Sequence, residues 1–270
     1  MFMRKFKDLA LSLAAALVST GVYKLCSPLF NSMANGFLAD FLRQAIFAIM
    51  VFSCVLVLKK TWIYRSDLRK LKVGWPAVLP LLFVIFINVL QASDMIPNIS
   101  VTGFELLLFL AQMFLIGFCE ESLFRGLIQN AFHRIFGEDS TLHVFLGVIC
   151  GAFCFGAMHF VNALRPEVSL SAAALQVFYT FCFGILFATI YFRTGRNLWI
   201  VVLLHAIDDT FTFIATGRLS GGNAGQAIAS ASSATASKYG PLQMLFTLCL
   251  ISAISLFLLR PKKIKQLQEL

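Results

Sequence analysis

Phe118-Cys119-Glu120-Glu121-Ser122-Leu123-Phe124-Arg125 closes an apolar run in which Phe104 to Phe118 carries a single charge, Glu105. Helix-compatible sequence continues beyond it, from Gly126 to Phe132. A stretch of this length and polarity spans a bilayer. An ionisable side chain there costs roughly 2.5–3.5 kcal/mol on insertion scales. Two adjacent carboxylates therefore read as a functional site, and the rest of the chain supplies partners at the same apparent depth.

The composition agrees with a membrane solvent. The chain is 59% hydrophobic and 14% aromatic, with 29 phenylalanines. Only 13% of residues are charged, against about 25% in a soluble domain. Spanning segments must satisfy their own backbone polar groups. The expected fold is thus all-α, a polytopic membrane helical bundle forming one domain over 1–270. Eight apolar segments are expected to cross: 9–27, 37–58, 76–92, 103–133, 142–161, 171–192, 197–215 and 241–259. The first, with its basic head and Ala-rich middle, has a cleaved signal peptide as its rival reading. No clear A-x-A site closes it.

Charge sets the orientation. Seventeen of the 22 Lys and Arg fall on one side, among them Arg4, Lys60, Arg125, Arg134, Arg193 and Lys263. Lys24, Arg43, Arg165, Arg218 and Lys238 fall on the other. Eight spans with both termini cytoplasmic satisfy the positive-inside bias. The net charge of +9 needs no nucleic acid to explain it. The 216–240 loop, rich in Gly, Ala and Ser, reads as flexible. No internal repeat is visible.

The seven cysteines form no C-x-x-C pair, and six lie within apolar runs. No disulfide framework is expected, and Cys150 and Cys154, four apart, read as small apolar packing. Gly147-x-x-x-Gly151 is a pattern for close helix approach. The fourth segment, 31 residues long as an α-helix, would cover about 46 Å at ~1.5 Å per residue. It must tilt or extend beyond the bilayer, and Gly137 is a natural stop.

Three polar clusters join the glutamates. The fifth segment carries Phe155-Gly156-Ala157-Met158-His159 and the seventh carries His205-Ala206-Ile207-Asp208-Asp209. Glu121 and Arg125, four apart, stack on one helix face as an ion pair. Glu120 lies about 100° round the helix from Glu121. His205 and Asp209 also project together. Glu120 is about 24 Å above a helix end at Phe136, and His159 about 26 Å above a start at Leu142; His205 is only about 12 Å above Asn197.

Each feature alone has a bland reading. A lone intramembrane His is often a helix–helix hydrogen-bonding group. Glu121 with Arg125 is a self-neutralising structural pair. Asp208 could merely face a water-filled crevice, and the phenylalanines pack. The coincidence of Glu, His, His and Asp on three helices argues for more. A buried Glu beside a His can hold and deprotonate a water. A second His with a carboxyl one turn on can stabilise an oxyanion or bind a metal.

Glu120-Glu121-x-x-x-Arg125, Phe155-x-x-x-His159 and His205-x-x-x-Asp209, in that order over 103–215, resemble the CPBP intramembrane proteases. That family includes the type II CAAX prenyl endopeptidases and the bacterial Abi and bacteriocin-processing homologues. The resemblance implies a membrane-embedded endopeptidase acting on a peptide or protein substrate at the lipid bilayer. It implies that Glu120 and His159 activate water, that His205 and Asp209 form the oxyanion site, and that Glu121 and Arg125 shape the pocket. In the prenyl-endopeptidase branch the last position is usually Asn; here it is Asp209. An ionised Asp would repel an oxyanion, whereas a protonated one could donate to it. No cofactor is favoured. Zinc held by Glu120, His159, His205 and Asp209 is the alternative. The compact form points to a bacterial plasma membrane. The competing functions are a proton-coupled transporter, using the same groups as a relay, and a non-catalytic immunity or scaffold protein binding a partner through the pocket.

Overall fold

The computed structural model describes residues 2–164, 168–221 and 241–268, all-helical with no strand among them. The helices are α1 (Phe2–Cys26), α2 (Gly36–Val57), α3 (Leu68–Gly74), α4 (Leu79–Ser93) and α5 (Gly103–Glu121). A π-helical segment, Ser122–Gln129, leads into α6 (Asn130–Phe136). Then come α7 (Thr141–Met158), α8 (Leu170–Arg193), α9 (Leu198–Ala215), α10 (Pro241–Phe257) and α11 (Pro261–Gln268).

Helix starts follow from side-chain caps. Asn35, Ser140, Ser169 and Asn197 each accept from a backbone N–H three residues on, which satisfies a donor the helix cannot. Thr102 and Glu105 form a reciprocal capping box at α5. Glu105, the one charge of the apolar run, thus works at a helix end. Gly137, at φ 89°, ends α6 and donates its N–H to the His133 carbonyl.

Each of the eight apolar segments is occupied by a helix. Among the described residues six are long and apolar enough to cross a membrane, or seven if the pair Leu68–Ala77 and Leu79–Ser93, bent by 64°, counts as one span. The third and eighth segments are the short ones. At 15 and 17 residues, α4 and α10 reach about 22 and 25 Å at ~1.5 Å per residue, less than the ~30 Å hydrocarbon core. The 222–240 part of the Gly/Ala/Ser-rich loop lies outside the described residues. All seven cysteines are unpaired.

The fourth segment is continuous from Gly103 to Phe136 but is not α-helical throughout. Ser122–Gln129 takes the wider π register, and Asn130 accommodates it. Its Nδ2 donates to the carbonyls of Arg125 and Gly126, at 3.0 and 2.9 Å, and reaches Tyr191 Oη at 2.8 Å. Glycines allow the close crossings around this segment. A Cβ on Gly147 would stand 2.4 Å from His133 Nδ1, and one on Gly117 would stand 2.7 Å from the Val202 carbonyl oxygen. So α7 packs against α6, and α5 against α9.

Ion pairs define two ends. At one, Asp8 pairs with Lys60 and Arg134, and Arg196 with Glu138. There Arg193 donates to the carbonyls of Lys263 and Val73. At the other, Asp40 pairs with Arg43 at 2.6 Å and Arg218 at 2.9 Å. Arg125 departs from the charge partition read from the sequence. It is not a loop cation but a fully buried side chain in the bundle interior, because Glu121 and two aromatic rings receive its guanidinium there.

Candidate active site

The polar clusters meet where α5 crosses α9. Gly117 brings the two backbones together, one turn before Glu120 and Glu121. His205 enters from α9. Its Nδ1 lies 2.8 Å from Glu121 Oε1, and its Nε2 lies 3.6 Å from both Glu120 Oε2 and Asp209 Oδ2. A carboxylate only accepts, so Nδ1–H donates to Glu121. The other oxygen of Glu121, Oε2, is 3.0 Å from Arg125 Nε, and both side chains are fully buried. Glu121 is therefore a bridge between Arg125 and His205.

Aromatic rings fix these groups in place. Phe187 stacks on His205 with centroids 5.0 Å apart and 19° between planes. Phe155 presents an edge to His205 and to His159, at 6.3 and 4.9 Å. The Arg125 guanidinium carbon lies 4.5 Å from the Phe155 ring centre and 5.8 Å from that of Phe187. Desolvated contacts of this kind favour a buried cation by up to ~2 kcal/mol. The phenylalanine that begins Phe155-x-x-x-His159 thus touches Arg125 and both histidines.

His159 caps the end of α7, and its Nδ1 is 2.9 Å from the Phe155 carbonyl oxygen. That carbonyl takes the Nδ1 proton, which leaves Nε2 for other chemistry. Glu120 and His159 line the same cavity of about 570 Å³, with His205 and Asp209. Among the described residues no ion pair joins Glu120 to His159; the imidazole nearest Glu120 is His205. Glu120 and Asp209 remain partly exposed, at 23% and 21% of the side chain, as groups that meet a substrate must.

Sequence reasoning missed Asn88. Its Nδ2 donates to Asp208 Oδ1 at 2.9 Å and to Thr212 Oγ1 at 3.1 Å, tying α4 to α9. A carboxamide in the middle of the apolar helix Leu79–Ser93 was a usable signal, since such a group in hydrocarbon needs a partner. Asp208 is accordingly a buried, bonded residue. Asp209, one position on, is the carboxyl beside His205.

Zinc takes imidazole nitrogens and carboxylate oxygens at about 2.0–2.2 Å, usually four together. The donor types are present, but among the described residues no three His, Cys, Asp or Glu side chains converge as a ligand set.

Residues 102–211 match the family model for the Rce1-like type II CAAX prenyl endopeptidases. This segment is an Rce1-like domain. It runs from the Thr102 cap of α5 to two residues beyond Asp209, so it contains every residue of the three motifs. No curated protein matches the chain, and no solved structure does. The match supports a CAAX-type intramembrane protease at the level of family, and several apolar helices make the chain a multi-pass membrane protein.

Proposed function

We propose that the chain is an intramembrane endopeptidase in which Glu120 activates the hydrolytic water, as in CAAX processing or bacterial peptide processing. The observation that supports this best is the shared cavity wall. Glu120 and His159 both line it, and His205 stands between Glu120, Asp209 and the Glu121–Arg125 pair.

The chemistry follows from what each atom is free to do. A water between Glu120 and His159 attacks the scissile carbonyl carbon, and Glu120 accepts its proton. The carbonyl oxygen becomes an oxyanion. His205 Nε2 sits 3.6 Å from Glu120 and Asp209, beyond hydrogen-bond length, so its proton remains for that oxygen. Glu121 holds the ring by Nδ1, and Arg125 balances the charge of Glu121. As the C–N bond breaks, the proton on Glu120 passes to the leaving amine, with His159 as relay. The substrate is a peptide or protein segment reaching the membrane interior.

Asp209 decides between this reading and a zinc site. It donates to an oxyanion only as the acid, whereas Asn is a permanent donor of similar shape. In the glutamic reading Asp209→Asn keeps hydrolytic activity, and its pH profile extends to higher pH than that of the wild type. Loss of activity in a folded Asp209→Asn protein, with recovery on adding zinc, would contradict the glutamic reading and support a metal site.

A further inference from the structure

Two short helices carry cations and no acid. α3 bears Arg69, Lys70 and Lys72, and α11 bears Lys262, Lys263 and Lys265, with Arg260 just before it. They are far apart in the chain yet pack together, and Arg193, at the end of α8, ties them. Its guanidinium donates to the Val73 carbonyl, 120 positions earlier, at 3.0 Å, and to the Lys263 carbonyl, 70 positions later. Gly74 permits this junction, since a Cβ there would stand 2.1 Å from the Arg193 carbonyl oxygen. Val73 and Ile264 pack on one apolar cluster with Phe192 and Leu259. At ~1.5 Å per residue the two helices are about 10 and 12 Å long, so their cations are gathered in a small area.

No carboxylate of these elements balances that charge. α8 carries none either, and Asp67, just before α3, is taken by Arg69 at 3.1 Å. Among the described residues no acid pairs with Arg193, which is buried and whose Nε has no hydrogen-bond partner. A buried cation without an anion is costly. Orienting a membrane protein requires only that cations flank the spans. It does not require two distant segments to be drawn together round a buried arginine.

The neighbouring face shows what this charge meets. Leu68, Lys72 and Trp75, at i, i+4 and i+7, share one side of the segment. All three are exposed, Leu68 at 67% and Trp75 at 51%. Leu68–Ala77 is bent by 64° from the apolar helix it leads into, Leu79–Ser93. Tryptophan is favoured at the headgroup level of a bilayer, and a lysine between a leucine and a tryptophan sets its ammonium at the lipid phosphates. Clusters of Lys and Arg beside spans bind anionic headgroups.

We propose that the junction of α3, α8 and α11 binds an anionic phospholipid. The lysines of α3 and α11 hold its headgroup phosphate, and its acyl chains lie against Leu68 and Trp75. None of these cations lines the cavity, so the site is separate from the reactive carboxylates and does not depend on the protease reading.

The test uses full-length protein in a neutral detergent. Native mass spectrometry measures the apparent Kd of the first bound phosphatidylglycerol and of the first bound phosphatidylcholine. One variant combines Lys72→Gln, Lys262→Gln and Lys265→Gln, all exposed positions of the junction. A control variant combines Arg4→Gln, Lys5→Gln and Lys7→Gln on α1, which removes the same charge elsewhere. Wild type and control are expected to bind phosphatidylglycerol about tenfold or more tighter than phosphatidylcholine. The junction variant is expected to lose that preference, and an equal concentration of glycerol phosphate should not displace the lipid. No preference in the wild type, or the same preference in both variants, overturns the proposal. So does displacement by glycerol phosphate, because the ligand is then a soluble phosphate and not a lipid.

Discussion

Glu121 carries more than an ion pair. One oxygen holds Arg125 and the other holds His205, so a single buried carboxylate sets the position of the histidine that faces Glu120 and Asp209. Removing Arg125 leaves that carboxylate without its full cation in a desolvated site, and breaking such a pair costs about 3–5 kcal/mol. Arg125→Ala should therefore lower both hydrolytic activity and thermal stability in detergent. An unfolding midpoint equal to the wild type would contradict this role for Arg125. The Glu121–Arg125 spacing was legible in the sequence because helical geometry puts i and i+4 on one face. The Glu121–His205 bond was not legible, since it depends on how α5 and α9 are rotated against each other. Asn88 was hidden for the same reason, its partners being 120 and 124 positions away.

The elements that position the site are a glycine crossing and a π segment. Gly117 lets α5 approach α9 so closely that an added Cβ would fall 2.7 Å from the Val202 carbonyl oxygen, 3.3 Å from the Ala206 nitrogen and 3.4 Å from His205 Cβ. Backbone cannot yield as a side chain can, and overpacking of this kind costs typically ~1–3 kcal/mol. Gly117→Ala should displace α9 and with it His205. Catalytic rate is then expected to fall by more than the lowered stability explains, as read by kcat beside the unfolding midpoint of the same preparation. Unchanged kcat would mean that the crossing does not set the geometry of the site. The π register after Glu121 was not readable from periodicity, because it is held by Asn130 reaching Tyr191 across the bundle. π-bulges occur frequently at functional sites, and this one begins immediately after the two glutamates. The short α4 had a visible cause in Pro76 and Pro80, which interrupt the α-helical ladder at its start.

At the scale of the molecule, the apolar segments and the all-helical class were legible, because bilayer thickness and backbone satisfaction restrict the choices. Where the cavity lies was not, since it emerges only when eight α-helices supply its walls. The central claim is that Glu120 activates water for peptide hydrolysis. The most direct measurement compares initial rates of peptide cleavage by wild-type and Glu120→Gln protein, purified in detergent and matched for folded fraction. Cleavage by the wild type and a loss of 10²–10⁴-fold or more in Glu120→Gln, about what removing a general base costs, is the expected result; robust turnover by Glu120→Gln would contradict it.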